Sequence, residues 1–460
     1  MANANRKTTL KQVKQMCAQF GQWGGVALNN VLGAEVVLES MRRHVGAFRE
    51  RVYSPLSTLQ LFVQQVLDAD GACQDAVARG LSERVSAGKQ PCSLNTAAYC
   101  RARGRLSLEW MVELGWQVGR RLEQALPAQW RWRGRPVKLL DGTTVRMPDT
   151  PENQAVYPQH GGQEPGLGFP LARLVGLISF CSGAVLGFAL AAHKGKGTGE
   201  QSLFRKLAPG LEAGDLLLVD CYHCTFFTLA LLQQQGVDIV TQQNACRVTD
   251  FRRGERLGVR DHLVYWRRPA RPEWLDEHAY ELMPQQLAVR EVRVGGWVLV
   301  TTLLDAKAVS KEELGKLYHW RWDVELDLRS IKEVLGMGEL RCKTPPMVHR
   351  EISAYMLGYN LVRAVIAQAA GAAGLLPQQL SFKATVAVLH AFQEQLRHHV
   401  GNCGRALWAY ALAAIASAKL VYRPNRVEPR AVKRRPKPYP RLMVPRAVAR
   451  AHLLDAYAPI

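Results

Sequence analysis

The segment Tyr318-His-Trp-Arg-Trp-Asp-Val-Glu-Leu-Asp-Leu-Arg-Ser-Ile-Lys332 gathers the residue types that phosphate chemistry needs. At about 100° per residue, a helix here would place Tyr318, Arg321, Glu325 and Lys332 within roughly 60° of one another. Trp322 and Arg329 would lie on the same side, while Leu317, Val324, Leu328, Ile331 and Leu335 form a separate apolar stripe to pack on a sheet. A plain surface helix with an Arg321–Glu325 pair accounts for two of these residues. It leaves the tyrosine, the tryptophan and the second cation unexplained. One carboxylate set among cations and aromatics suits a grip on phosphate beside a bound metal ion.

A lone carboxylate cannot hold a catalytic Mg²⁺, so further acids are needed. Asp141 lies in Leu139-Leu-Asp-Gly-Thr-Thr-Val145, inside an apolar strand where an acid is costly unless paired or metal-bound. Asp220 ends Asp215-Leu-Leu-Leu-Val-Asp220, at the carboxyl end of a buried strand, where open α/β sheets place their sites. Acids at strand ends are common in purely structural roles, so neither aspartate is decisive by itself. Asp215 and Asp149 read as solvated turn residues.

The elements that must position these groups can be read from periodicity. Strands are expected at 137–145, 174–180, 184–190, 215–219 and 237–241, with helices at 201–211 and 225–235. Early strands followed by strands alternating with helices make an α/β sheet of mixed direction. Residues 246–312 break the alternation with Pro- and Arg-rich turns and strand-like runs at 287–294 and 297–304. One long helix is expected from about 311 to 334 and another from 348 to 369. Before residue 125 the chain reads as helical, with Ser54-Pro55 and Ser107 as helix starts. There Tyr99-Cys-Arg-Ala-Arg-Gly-Arg105 is a basic segment suited to phosphates, or a solvated charged face. Beyond residue 420, prolines and cations such as Arg423, Arg426 and Lys437 alternate in an extended basic arm.

At 460 residues the chain should hold two to four domains, and 48% hydrophobic with 22% charged residues excludes general disorder. Sixty Lys and Arg against 39 Asp and Glu give a net charge of +21, which points to a polyanionic partner. The uncharged run 174–192 is interrupted by Cys181-Ser182-Gly183 and reads as a hairpin rather than a membrane span. The start, Met1-Ala-Asn-Ala-Asn-Arg-Lys7, lacks the apolar region of a secretory signal. A cytoplasmic protein with reduced thiols is expected.

Tyr318-x2-Arg321-x3-Glu325-x6-Lys332 resembles the Y-R-E-K signature of the insertion-sequence-four family of DDE transposases. Leu140-Asp141-Gly142-Thr143 and Gly214-Asp-Leu-Leu-Leu-Val-Asp220 resemble that family's two aspartate motifs. Further segments read alike: Ser54-Pro55, Ala98-Tyr-Cys-Arg-Ala-Arg103, Gly199-Glu-Gln-Ser202, Tyr359-Asn-Leu-Val-Arg363 and 423–426. After Asp220, however, the chain has Cys221-Tyr-His-Cys-Thr-Phe-Phe227 where the family commonly has an Arg or similar residue, an aromatic and a Ser.

The resemblance implies an RNase H-like core of mixed sheet with flanking helices, interrupted by a β-rich insertion. It divides the chain into a helical DNA-binding region (1–125), core parts at 126–245 and 313–370, the insertion (246–312), and C-terminal helices with the basic arm (371–460). It also implies Asp141, Asp220 and Glu325 as ligands of Mg²⁺, with Mn²⁺ able to substitute. Tyr318, Arg321 and Lys332 would contact phosphates at the cleaved end, and Trp297 and Trp322 are candidates for stacking a base. For Trp297 a core position on a strand is the simpler reading. The implied partner is double-stranded DNA, at terminal inverted repeats and at the target, engaged by a dimer or larger synaptic complex in the bacterial nucleoid. No nucleotide cofactor is expected, since His193-Lys-Gly-Lys-Gly-Thr-Gly199 lacks P-loop spacing.

Two other readings compete. A DNA-binding regulator could keep the fold without turnover, although the acids at 141, 220 and 325 are intact. Cys221-x-x-Cys224, between a strand and a helix, could be a thiol-redox pair.

Overall fold

A computed structural model describes residues 33–49, 51–68, 70–399, 401–420 and 442–456. The basic arm lies outside the described residues. Five helices open the described chain: α1 (Ala34–His44), α2 (Pro55–Leu67), α3 (Cys73–Ser86), α4 (Ala97–Arg105) and α5 (Leu108–Ala125). Ser54 and Ser107 start α2 and α5 as expected, each accepting a bond from the backbone N–H three residues on, at 3.4 and 3.1 Å. The core begins with β1 (Val137–Arg146), α6 (Pro151–Val156), β2 (Leu171–Ser179), β3 (Val185–Ala192) and α7 (Glu200–Leu207). It continues with β4 (Leu216–Val219), α8 (Phe226–Gln234) and β5 (Asp238–Gln242). After these come β6 (Glu255–Gly258), β7 (Asp261–Arg267), α9 (Glu277–Glu281), β8 (Gln286–Val294) and β9 (Trp297–Thr301). The last helices are α10 (Lys311–His319), α11 (Asp323–Arg329), α12 (Pro345–Ala372), α13 (Phe382–His398), α14 (Gly401–Ser417) and α15 (Arg446–Ala456).

The nine strands form one sheet in the order β3-β2-β1-β4-β5-β9-β8-β7-β6. In its first half β2 is antiparallel to β1 and β3, while β1, β4 and β5 run parallel. That order and those directions are the RNase H-like arrangement. The strands of the 246–312 block build no sheet of their own. β9 pairs antiparallel with β5, so the meander β6–β9 extends the core sheet edge to edge and leaves β5 no free edge. β6 and β7 were not foreseen, because their runs carry Glu255, Arg256, Asp261 and His262 rather than an apolar alternation. Asp261 is nonetheless buried, held by the fully buried Arg290 through Nε at 2.8 Å and Nη2 at 2.5 Å. The uncharged run 174–192 is the β2–β3 hairpin, and among the described residues no helix is long and apolar enough to cross a membrane.

Helices cover both faces. On one, α7 and α8 pack with Leu140, Leu217, Val219 and Ile239. On the other, α2, α5, α10, α11 and α12 pack with Val137, Leu139, Leu216, Leu218 and Val240. Strand alternation thus sorts neighbouring residues to opposite layers. Helix α12 is buried along most of its length and serves as the spine of the larger layer. Its Asn360 ties three elements: the side-chain oxygen accepts from Val185 N at 2.8 Å, and the amide donates to Val185 O at 2.8 Å and Gly115 O at 3.0 Å. Gly119 of α5 permits this approach, since a Cβ there would lie 2.5 Å from Val185 O.

Two expectations are corrected. Asp215 is buried rather than solvated, because it accepts from Glu212 N at 2.8 Å and faces Lys138 Nζ at 3.7 Å. Arg103 of the basic segment is turned into the core, where its guanidinium stacks on Phe62 and Tyr99 at 4.9 and 5.1 Å. Replacing Asn360 by Ala removes three buried hydrogen bonds and should destabilise the fold by about 2–4 kcal/mol. Urea unfolding should show a lower midpoint with an unchanged slope; an unaltered midpoint would mean that this junction carries no strain-bearing contacts.

Candidate active site

Parallel pairing joins β1 to β4 in the register Val137↔Leu216, Lys138↔Leu217, Leu139↔Leu218. Two residues further along, the same register sets Asp141 opposite Asp220. Alternation turns both to the face of Leu139 and Leu218, under α10 and α11. Asp220 stands one residue past β4 and accepts from Tyr222 N at 3.0 Å, while Asp141 accepts from Gly142 N at 2.8 Å. Burial pushes the Asp141 carboxyl up to about 6; the Gly142 N–H and Arg321 oppose the rise, and Asp220 and Glu325 add to it. Asp141 therefore feels the charges of both Asp220 and Glu325.

Glu325 arrives on a helix that differs from expectation. The stretch 311–334 is not one continuous helix. After α10 ends at His319, Trp320–Trp322 form a 3₁₀ turn, α11 follows, and Ser330–Val334 widen into a π turn. Two separate anchors account for the interruption. The Trp320 ring stacks on Phe180, at the β2–β3 turn, with centroids 4.3 Å and planes 6° apart. Asp327 of α11 is held by α12, with Arg363 Nη2 at 3.3 Å and the Tyr359 hydroxyl donating at 3.0 Å. A tight turn and a wide one absorb the mismatch between the two supports. Arg363 Nε also donates to Ser182 O at 2.8 Å, and at Gly183 (φ +67°) any Cβ would overlap its guanidinium. The segment Tyr359-Asn-Leu-Val-Arg363 is thus the bracket that fixes the Glu325 helix to the hairpin.

Despite the interruption, Arg321 stays between Tyr318 and Glu325, with its guanidinium 6.0 Å from the Tyr318 ring centre. Arg321 Nη2 lies 3.7 Å from Glu325 Oε1, with the arginine side chain 12% and the glutamate 54% exposed. Tyr318 is buried, its phenol pushed up to about 12 by desolvation, with Arg321 opposing and Asp220 reinforcing that shift. Lys332 Nζ donates to Thr143 Oγ1 at 3.0 Å, two residues beyond Asp141 on the same strand. Burial lowers the Lys332 pKa, and Arg146 adds to the effect. Trp297 is 40% exposed, so the core reading is corrected; it opens β9 and meets Tyr318 edge-on at 6.3 Å. The Trp322 side chain lies outside the described residues.

A divalent ion suits this donor set, since three carboxylate oxygens are what hard cations take. Among the described residues no three acidic, imidazole or thiol groups are already gathered closely enough to enclose one. Glu325 faces Arg321 instead. The sequence reading missed Glu200, whose carboxylate sits under β1, where a Cβ on Gly142 would lie 2.7 Å from its Oε1. Desolvation raises its pKa; Arg173, at 3.8 Å, opposes this and Asp220 adds to it. The glycine directly after Asp141 was the available signal. The thiol-redox alternative is corrected: Cys224 is buried and its thiol is pushed up to about 12 by desolvation, so it lacks thiolate character.

The burial of Asp141 has a signed consequence. Its folded pKa near 6 exceeds the ~3.9 of an unfolded aspartate. Ionising it therefore costs the fold, with no penalty below about pH 4 and the full penalty above about pH 6. In metal-free protein, Asp141→Asn should raise the melting temperature at neutral pH by about 2 °C and change it little near pH 4. Equal effects at both pH values would contradict the burial of that charge.

The family model described as "Transposase DDE domain" matches residues 132–361. The chain is 29% identical over 358 residues to "Transposase InsG for insertion sequence element IS4" of Escherichia coli (strain K12), covering 75% of this chain and 78% of that protein. Among solved structures it is similar to a piggyBac transposase synaptic complex with hairpin DNA, at 9% identity and a TM-score of 0.44, covering 87% of this chain and 85% of that one. The fold assignment stands on strand order and direction rather than on that similarity. A matched region that contains β1, β4, both aspartates and Glu325 assigns the chain to the DDE-domain transposases, of the insertion-sequence-four type.

Proposed function

We propose that this transposase frees an insertion sequence by metal-dependent cleavage at its terminal inverted repeats and joins the released 3′-OH ends to target DNA. What supports the reading is the β1–β4 register, which brings Asp141 level with Asp220, together with Glu325 on the neighbouring helix beside Arg321. These three carboxylates would hold Mg²⁺, with Mn²⁺ as a substitute. When bound, the ion supplies Lewis acidity toward water and the oxygens of the scissile phosphate.

The remaining steps belong to the side chains. Arg321 and Lys332 offer cations to the phosphates flanking the cut, and Tyr318 contributes its hydroxyl beside them. Arg321 is paired with Glu325 in the free protein. A DNA phosphate that captures the guanidinium would release the carboxylate toward the aspartates, so substrate binding completes the acidic site. Trp297, half-exposed beside Tyr318, is placed to stack a base unpaired at the end. Two DNA ends must be joined in one event, which requires at least a dimer, and no step calls for a nucleotide.

A supercoiled plasmid carrying the gene with its native flanking DNA tests the proposal. Purified protein with Mg²⁺ should cut discretely at the element's ends. Glu325→Ala, Asp141→Asn and Asp220→Asn should each lower the rate by roughly 10³-fold or more, the kinetic equivalent of several kcal/mol. Full activity in any one variant would falsify its assigned role. Salt-sensitive binding to the ends without cutting by the wild type would instead establish a regulator.

A further inference from the structure

Nine cysteines fall among the described residues, all of them free thiols. Cys181, Cys224 and Cys342 are buried, and desolvation pushes each of these thiols up. Cys73 and Cys100 are different. Both are half-buried, and their sulfurs face each other at 3.9 Å between α3 and α4, although they stand 27 positions apart in the chain. Among the described residues no other two thiols are hydrogen-bonded to one another.

One cation serves both sulfurs. Arg103 is buried, and its Nη2 donates to Cys73 Sγ at 3.3 Å and to Cys100 Sγ at 3.6 Å. Phe62 and Tyr99 stack on the guanidinium and hold it there. A guanidinium touching a sulfur favours the thiolate, which is the nucleophilic form. Burial pushes the Cys73 thiol up, with Arg103 opposing the rise and Cys100 adding to it. Cys73 therefore suits the second, resolving role, and Cys100 the first attack. A disulfide needs its sulfurs at about 2.0 Å. The approach falls on Cys73, the first residue of α3, whose N-cap Ala72 supplies no side-chain hydrogen bond. An uncapped first turn is the part of a helix that shifts at least cost.

We infer that Cys73 and Cys100 form a peroxide-sensitive modification site, closing to a disulfide that staples α3 to α4. The Cys100 thiolate attacks hydrogen peroxide, the O–O bond breaks, and the departing hydroxide takes the thiol proton and leaves as water. The product is a sulfenic acid. The Cys73 sulfur then attacks that sulfur, and the sulfenic hydroxyl leaves with the Cys73 proton as a second water. Two thiols thus lose two electrons and two protons, and one peroxide becomes two waters. Arg103 is not consumed, and a thiol reductant reverses the bond. The test treats the reduced full chain with hydrogen peroxide, alkylates the remaining thiols and maps the digested protein by mass spectrometry. A linked Cys73–Cys100 peptide should appear, about 2 Da lighter than its two thiol peptides together, and dithiothreitol should remove it. C73S and C100S should each abolish the link, and in C73S the stranded Cys100 should advance to the sulfinic acid. C221S/C224S, which removes the Cys-x-x-Cys pair, should leave the link intact. Each variant must melt as the reduced wild type does, and the wild-type map decides the matter whether or not they fold. Recovery of Cys73 and Cys100 as alkylated thiols under excess peroxide, or linkage of either one to a different cysteine, overturns the inference.

Discussion

Placing two aspartates side by side on adjacent strands of a buried sheet sets like charges together where water is scarce, and the remaining architecture answers to that cost. The β1–β4 register admits no other arrangement: with Leu139 opposite Leu218, Asp141 must face the level of Asp220. β4 stops at Val219 while β1 runs on to Arg146, so the pair stands where the parallel ladder ends and the sheet opens. Arg321 is the nearby cation that offsets the burial of Asp141, and it comes from the same interrupted helix as Glu325. Charge and counter-charge are thus delivered by one element.

That element is held in place from outside the site. Trp320 binds it to the hairpin through Phe180, and Asp327 binds it to α12 through Arg363 and Tyr359. Arg363 also holds the hairpin turn, and Asn360, on the neighbouring turn of α12, holds β3 and α5. A few buried polar groups therefore link the hairpin, the spine helix and the Glu325 helix. A partner removed from such a network leaves groups buried and unsatisfied, which costs more than its bonds contributed. The meander β6–β9 adds the last wall by covering β5 and carrying Trp297 to Tyr318.

Much of this was legible in the sequence. The apolar runs around Asp141 and before Asp220 identify buried strands, whereas the single helix expected over 311–334 is broken by a 3₁₀ turn and a π turn. The anchors were not legible as such. Asp327 reads like any helical surface acid until Arg363 is seen beside it, and Asp215 reads like a turn until Lys138 is. Glu200 and the inward turn of Arg103 depend on contacts between distant segments, which periodicity does not encode. β6 and β7 escaped because Glu255 and Arg256 are solvated, while Asp261 and His262 are buried only against Arg290 and Glu291 of β8.

The central claim is that Asp141 and Asp220 form a cation site completed by Glu325. Anomalous diffraction from crystals grown with Mn²⁺ and a duplex ending in the element's terminal repeat tests it most directly. The account predicts a manganese peak between the Asp141 and Asp220 carboxylates, with Glu325 turned from Arg321 toward it and the Arg321 guanidinium on a DNA phosphate. A peak elsewhere, or bound DNA with Glu325 still paired to Arg321 and no ion between the aspartates, would contradict it.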